Sequence, residues 1–123
     1  MEKDIFCKIN DGEIPSSVVY EDDKLKVIMD KFPVSPGHML IIPKYHVTDA
    51  LDMDDETFAK LNSIIKKMIN KCYEVLHADG VAVVQNNGIC QEVKHYHVHI
   101  IPKYKKEISL KNEEIYKKLI DNK

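Results

Sequence analysis

Apolar residues along this chain recur at two different periods, and the change of period marks out its elements. Between residues 54 and 78, Phe58, Leu61, Ile65, Met68, Ile69, Cys72, Val75 and Leu76 return at steps of three and four. That spacing puts them on one face of a long helix. Acidic residues crowd its start and Gly80 lies just past its end, which suits the helix dipole and a left-handed cap. Upstream, two short apolar or β-branched runs within 18–29 flank the charged turn Glu21-Asp22-Asp23-Lys24 and predict a hairpin. Ser35-Pro36-Gly37 signals a turn, and 38–42 then predicts a buried strand stopped by Pro43. Beyond the helix, 81–84 predicts a short strand, Asn86-Asn87-Gly88 a turn, and 94–101 an alternating strand stopped by Pro102. In the charged tail, 105–123, Ile115, Leu119 and Ile120 stand at helical spacing and predict a short terminal helix. With no repeat, linker or low-complexity tract, these elements predict an α+β domain rather than a βαβ series.

Composition narrows the function classes. A length of 123 residues suits one domain. The 18 Lys+Arg and 20 Asp+Glu residues leave a net charge of −2, without the basic footprint of a nucleic-acid or anionic-membrane binder. No apolar run approaches the roughly 18 residues of a membrane span. Met1-Glu2-Lys3-Asp4 is not followed by the apolar region of a signal peptide. Cys7, Cys72 and Cys90 are odd in number and widely spaced, with no Cys-x-x-Cys, so a reducing cytoplasm is expected rather than a disulfide framework. Cys72 falls on the apolar helix face and reads as core; Cys90, in a loop, reads as incidental.

The candidate chemistry lies in the histidines. Three of the six fall in His95-Tyr96-His97-Val98-His99, on a predicted strand. Alternation points all three imidazoles to one face, roughly 7 Å apart in succession, and leaves Tyr96, Val98 and Ile100 for a core. A lone strand histidine is ordinarily a satisfied or half-exposed side chain. Three on one face would be costly to bury unless each has a partner. Two readings follow. His-x-His can supply ligands to a catalytic metal. Alternatively one imidazole is a nucleophile that its neighbours position, one of them protonating a leaving group. Local context favours the second. Asn86-Asn87-Gly88 can supply amide donors to phosphate oxygens, and Ser35-Pro36-Gly37-His38 adds another histidine. Gly-x-Gly-x-x-Gly, Walker-type and His-Glu-x-x-His motifs are all absent.

His95-Tyr96-His97-Val98-His99-Ile100-Ile101 matches the His-φ-His-φ-His-φ-φ pattern of the histidine triad (HIT) superfamily. Asp4-Ile5-Phe6-Cys7-Lys8-Ile9, Gly12-Glu13-Ile14-Pro15, Val34-Ser35-Pro36-Gly37-His38, Ile42-Pro43-Lys44-Tyr45-His46 and Gln85-Asn86-Asn87-Gly88 resemble its Hint branch in order and spacing. The likeness spans about residues 4 to 104 of a chain then expected to be one HIT domain, 1–123. It implies an antiparallel sheet of about five strands, with one long helix and a short terminal one, and a homodimer. It also implies a hydrolase or transferase acting on purine nucleoside 5′-monophosphate derivatives of phosphoramidate type. In that scheme His97 attacks the α-phosphorus to form a covalent nucleotidyl intermediate, and His99 contacts phosphate and assists the leaving group. Asn86 lies on the phosphate side and Asp30 bonds the ribose of an AMP- or GMP-type ligand. Ile5, Phe6, Ile9 and Ile14 sandwich the base, and Glu92 and Val93 complete the nucleotide-binding set. The resemblance implies no catalytic metal. A structural zinc would take Cys7, His46 and His95, with Asp4 where bacterial relatives carry a first cysteine; one hard oxygen in place of thiolate would weaken it. A dinucleoside polyphosphate hydrolase, a non-enzymatic purine-nucleotide-binding protein and a metalloenzyme stay open as alternatives. Gly88-Ile89-Cys90-Gln91-Glu92-Val93 lacks the usual Ala-Gly-Gln, Lys94 replaces an aromatic residue, and the tail differs from that of eukaryotic members.

Overall fold

The computed structural model describes residues 4–121. In chain order they form α1 (Ile5–Asn10), β1 (Val18–Glu21), β2 (Leu25–Met29), β3 (Met39–Pro43), α2 (Asp55–Glu74), β4 (Gly80–Gln85), β5 (Val98–Lys103) and α3 (Asn112–Asp121). The strands make one antiparallel sheet in the order β1-β2-β3-β5-β4, as the α+β expectation required. None of the described helices is long and apolar enough to cross a membrane.

β2 and β3 are apolar at nearly every position because both faces of the sheet are covered. Leu25, Val27, Met29, Met39 and Ile41 face the larger core, with Leu61, Ile64, Met68 and Cys72 of α2 and Ile115 and Leu119 of α3. Ile28, Leu40 and Ile42 face the other way, into a smaller cluster with Phe6 and Ile9 of α1. The chemistry sits on that second, thinly covered face.

Several boundaries differ from expectation. α2 ends at Glu74 rather than running to residue 78, and its left-handed residue is His77 (φ 56°), not Gly80, which opens β4. The Ala78 N–H closes the helix end on the Cys72 carbonyl at 3.0 Å. β5 begins at Val98, so His95, Tyr96 and His97 precede the ladder; the Tyr96 N–H instead bonds the Val47 carbonyl at 2.6 Å. Tyr96, Val98 and Ile100 are nonetheless fully buried in the larger core, which keeps the alternation across 95–99. β3 ends at Pro43 as expected, whereas Pro102 does not stop its strand: β5 runs through it to Lys103. The helix α1 was not anticipated. Six residues hold too few apolar positions to reveal a period, and its start is set by the Asp4 side chain, which accepts the Cys7 N–H at 2.8 Å.

The turn before β3 depends on Gly37. Its φ is +94°, and a Cβ there would meet Leu76 Cδ1 at 2.5 Å and Pro102 Cγ at 3.1 Å. Gly37→Ala should therefore lower the unfolding free energy by at least about 1 kcal/mol in denaturant titration. An unchanged midpoint would contradict this packing.

Candidate active site

A cavity of about 460 Å³ opens on the second face of the sheet. Ile5, Phe6, Ile9, Ile14, Asp30, Glu92, Val93, His97 and His99 all line it, so nine of the residues singled out in the sequence converge there from α1, the segment after it, the residue after β2 and the 92–99 segment. Asn86 does not: it is half-buried at the end of β4 and outside this lining. Sequence reading missed Ser16, Ser17, Lys31, Phe32 and Asn112, none of which stands in a recognisable motif.

Hydrogen-bond partners assign the histidine tautomers. His97 Nδ1 lies 2.8 Å from the His95 carbonyl, which can only accept, so Nδ1 carries the proton and Nε2 the lone pair. His38 Nδ1 accepts the Val34 N–H at 3.1 Å, so its Nε2 carries the proton in the neutral ring. That Nε2–H donates to His99 Nδ1 at 2.9 Å, which leaves the His99 proton on Nε2. The His97 and His99 ring centroids are 5.0 Å apart, closer than regular strand spacing suggests, and the Phe6 ring packs 4.9 Å from His97. Burial pushes the pKa of His99 down, and the neighbouring His97 and His38 add to that. Burial likewise lowers His38, against the opposing pull of Asp30, whose Oδ2 is 3.5 Å from His38 Nε2. Asp30, His38 and His99 are near enough to share a cation. The Val34 N–H, however, occupies His38 Nδ1 and so keeps a proton on Nε2 where a metal would need a lone pair. The set is a proton-carrying chain ending on His99.

His95 belongs to a different cluster. Its Nδ1 lies 3.5 Å from Cys7 Sγ and 3.2 Å from Asp4 Oδ2, while His46 Nδ1 lies 3.5 Å from the same sulfur and 3.1 Å from the same oxygen. Tetrahedral zinc with ordinary bond lengths implies edges of about 3.5 Å for S···N and about 3.3 Å for O···N. The observed edges agree with these. His95 Nε2 donates to the Pro43 carbonyl at 3.3 Å and His46 Nε2 lies 3.4 Å from Thr48 Oγ1, so both rings turn Nδ1 toward the common centre. Burial opposes ionisation of Asp4, but the Cys7 N–H and the adjacent His95 and His46 outweigh it and hold its pKa low. The donors fit a zinc ion. The three triad histidines are thus divided between two sites, and no group of candidate ligand atoms among the described residues includes His97.

The model of the HIT domain matches residues 11–106 of this sequence. The chain belongs to the HIT family. Among HIT relatives, an uncharacterised HIT-like protein of Methanocaldococcus jannaschii is 42% identical over 102 residues, covering 81% of this chain and 78% of that one. The adenosine 5′-monophosphoramidase of Saccharomyces cerevisiae is 41% identical over 101 residues, 80% of this chain and 61% of its own. A zinc-bound histidine triad protein from Mycobacterium smegmatis superimposes with a TM-score of 0.86 at 32% identity, covering 95% of this chain and 90% of that one.

The lowered pKa values of His38 and His99 carry a sign. As pH falls through about 6.5, the unfolded HIT chain takes up protons that the folded one resists, so stability is lost in that direction. The melting temperature, measured without metal or nucleotide, should be lower at pH 5.5 than at pH 7.5. A flat or rising value would contradict the burial of these two rings as neutral groups.

Proposed function

We propose that this HIT protein hydrolyses purine nucleoside 5′-monophosphate derivatives, phosphoramidates foremost, through a covalent nucleotide on His97. The observation that carries the reading is the bond from His97 Nδ1 to the His95 carbonyl, which leaves Nε2 unprotonated in a ring lining the cavity. Nε2 attacks the α-phosphorus, forming an N–P bond as the bond to the leaving amine breaks. The departing amine takes a proton that His99 Nε2 relays from solvent, so His99 ends the step neutral. Water then attacks phosphorus, the N–P bond breaks to restore the Nε2 lone pair of His97, and the proton lost by the water leaves through His99 to solvent. The apolar slot of Ile5, Phe6, Ile9 and Ile14 takes the base, and Asp30 takes the ribose hydroxyls. The name of the yeast relative, an adenosine 5′-monophosphoramidase, supports an AMP-type substrate.

Zinc, when bound by Asp4, Cys7, His46 and His95, would supply a structural tie rather than a reacting group. The zinc-bound mycobacterial relative and the edge lengths given above support zinc binding, and the absence of His97 from the cluster supports the structural role. Adenosine 5′-phosphoramidate should release AMP with EDTA present, and His97→Ala should lose about a thousandfold or more of that rate while still binding AMP. EDTA should lower the melting temperature of the zinc-loaded protein without stopping turnover. A His97→Ala variant as fast as the wild type, or turnover that stops with EDTA and returns with metal, would overturn the scheme. Cleavage of diadenosine polyphosphates but not of the amidate would favour the polyphosphate reading.

The homodimer has a ready surface. β4 is an outer strand with Val83 and Val84 exposed, and Leu51 and Ile89 stand almost fully exposed on two turns tied together by the Asn87 side chain and the Ala50 N–H. Sedimentation equilibrium should give twice the chain mass, and Val83→Lys should shift it toward the monomer. A monomeric wild type at tens of micromolar would rule this assembly out.

A further inference from the structure

The terminal helix α3 lies beyond the residues matched by the HIT domain, yet its first residue, Asn112, lines the cavity beside Ser16, Ser17 and Asp30. Asp30 follows directly on β2 and is held mostly from within its own turn. Its N–H bonds the His38 carbonyl at 3.0 Å, its Oδ1 accepts the Phe32 N–H at 2.8 Å, and its Oδ2 faces His38 Nε2. Among the described residues, one bond to Asp30 comes from outside that turn: Asn112 Nδ2 donates to its carbonyl at 2.9 Å.

The other half of the Asn112 amide gains nothing. Its Oδ1 is closed to solvent and has no hydrogen-bond partner. A buried acceptor without a donor is unfavourable, and an apolar side chain would pack there without that penalty. What the amide contributes is its N–H. Nor does α3 need that bond to dock. Ile115 and Leu119 are buried in the larger core, the Tyr116 hydroxyl donates to the Val18 carbonyl at 3.0 Å, and Lys71 Nζ donates to the Leu119 carbonyl at 2.8 Å. The helix is fixed by those contacts, and Asn112 transmits that fixed position to Asp30.

We propose that Asn112 is a positioning residue for ribose recognition, holding the Asp30 main chain so that its carboxylate meets the sugar hydroxyls. This rests on the nucleotide reading given above and extends it to a segment outside the matched domain. A carboxylate that accepts from vicinal hydroxyls depends on its angle, so a loosened Asp30 loses discrimination before it loses chemistry.

The test compares AMP-type and 2′-deoxy-AMP-type phosphoramidates with the full-length protein. Asn112→Ala should raise KM for the ribo substrate about fivefold, as expected for one lost hydrogen bond, and leave kcat within about twofold. KM for the deoxy substrate should hardly move, so ribo preference falls by the same factor. Asn112→Asp keeps the shape, removes the donor and should behave alike. Tyr116→Phe, which loosens α3 elsewhere, should keep the wild-type preference. Asp30→Asn, run in parallel, separates the two levels. If Asp30→Asn abolishes ribo preference while both Asn112 variants keep it, the inference fails and the nucleotide reading stands. If the wild type binds nucleotide without ribo preference, or Asp30→Asn retains it, the role of Asp30 fails and the inference with it. An equal loss on both substrates in the Asn112 variants would mark a general structural role and overturn the proposal.

Discussion

The bond between His97 Nδ1 and the His95 carbonyl sets the chemistry of this site, because it decides which ring nitrogen is basic. It exists only while the chain holds 95–99 with alternate side chains on opposite faces. Tyr96, Val98 and Ile100 enforce that by filling the larger core on the far side. A second backbone group does the complementary work: the Val34 N–H on His38 Nδ1 fixes a proton on the opposite nitrogen and directs it at His99. With the Pro43 carbonyl on His95 Nε2, three main-chain contacts thus turn four similar imidazoles into a base, a donor chain and a ring facing Asp4 and Cys7. Burial adds to the effect by keeping His38 and His99 neutral at pH values where free imidazole begins to charge.

The sheet has two unequal faces, and function follows from the inequality. Two helices and most of the apolar side chains cover one face; the other carries only the short α1 and a small cluster. The space left over is the cavity. α1 also joins both sites. Asp4 caps it and stands beside His46 and His95, Phe6 packs against both His95 and His97, and Asn10 Nδ2 holds the Pro43 carbonyl at 2.9 Å. Metal at the Asp4–Cys7–His46–His95 cluster would thereby steady one wall of the cavity from outside it.

Much of this was legible because side-chain alternation does not depend on where a strand begins. His95 and His97 lie outside the β5 ladder, yet the period of two still sorted them from Tyr96 and Val98. The long helix was legible for a similar reason, its apolar face spanning many turns; its end was not, because His77 adopts the left-handed conformation that glycine was expected to supply. α1 is too short to show a period. The metal cluster gathers ligands from positions 4, 7, 46 and 95, which no local spacing can reveal, so it was visible only through family resemblance. Asn112 sat in a charged tail with no motif around it. Asn86, placed at the phosphate by resemblance, stands outside the cavity lining although Gln85-Asn86-Asn87-Gly88 follows the family pattern.

The most direct test of the central claim is to trap the intermediate. The wild-type protein is mixed with adenosine 5′-phosphoramidate, quenched in alkali within the first turnover, digested and examined by mass spectrometry. The tautomer assignment predicts one adenylyl group, and it should sit on His97 Nε2. An adduct on His95 or His99, or release of AMP in a fast first turnover with no adduct at any time point, would contradict it.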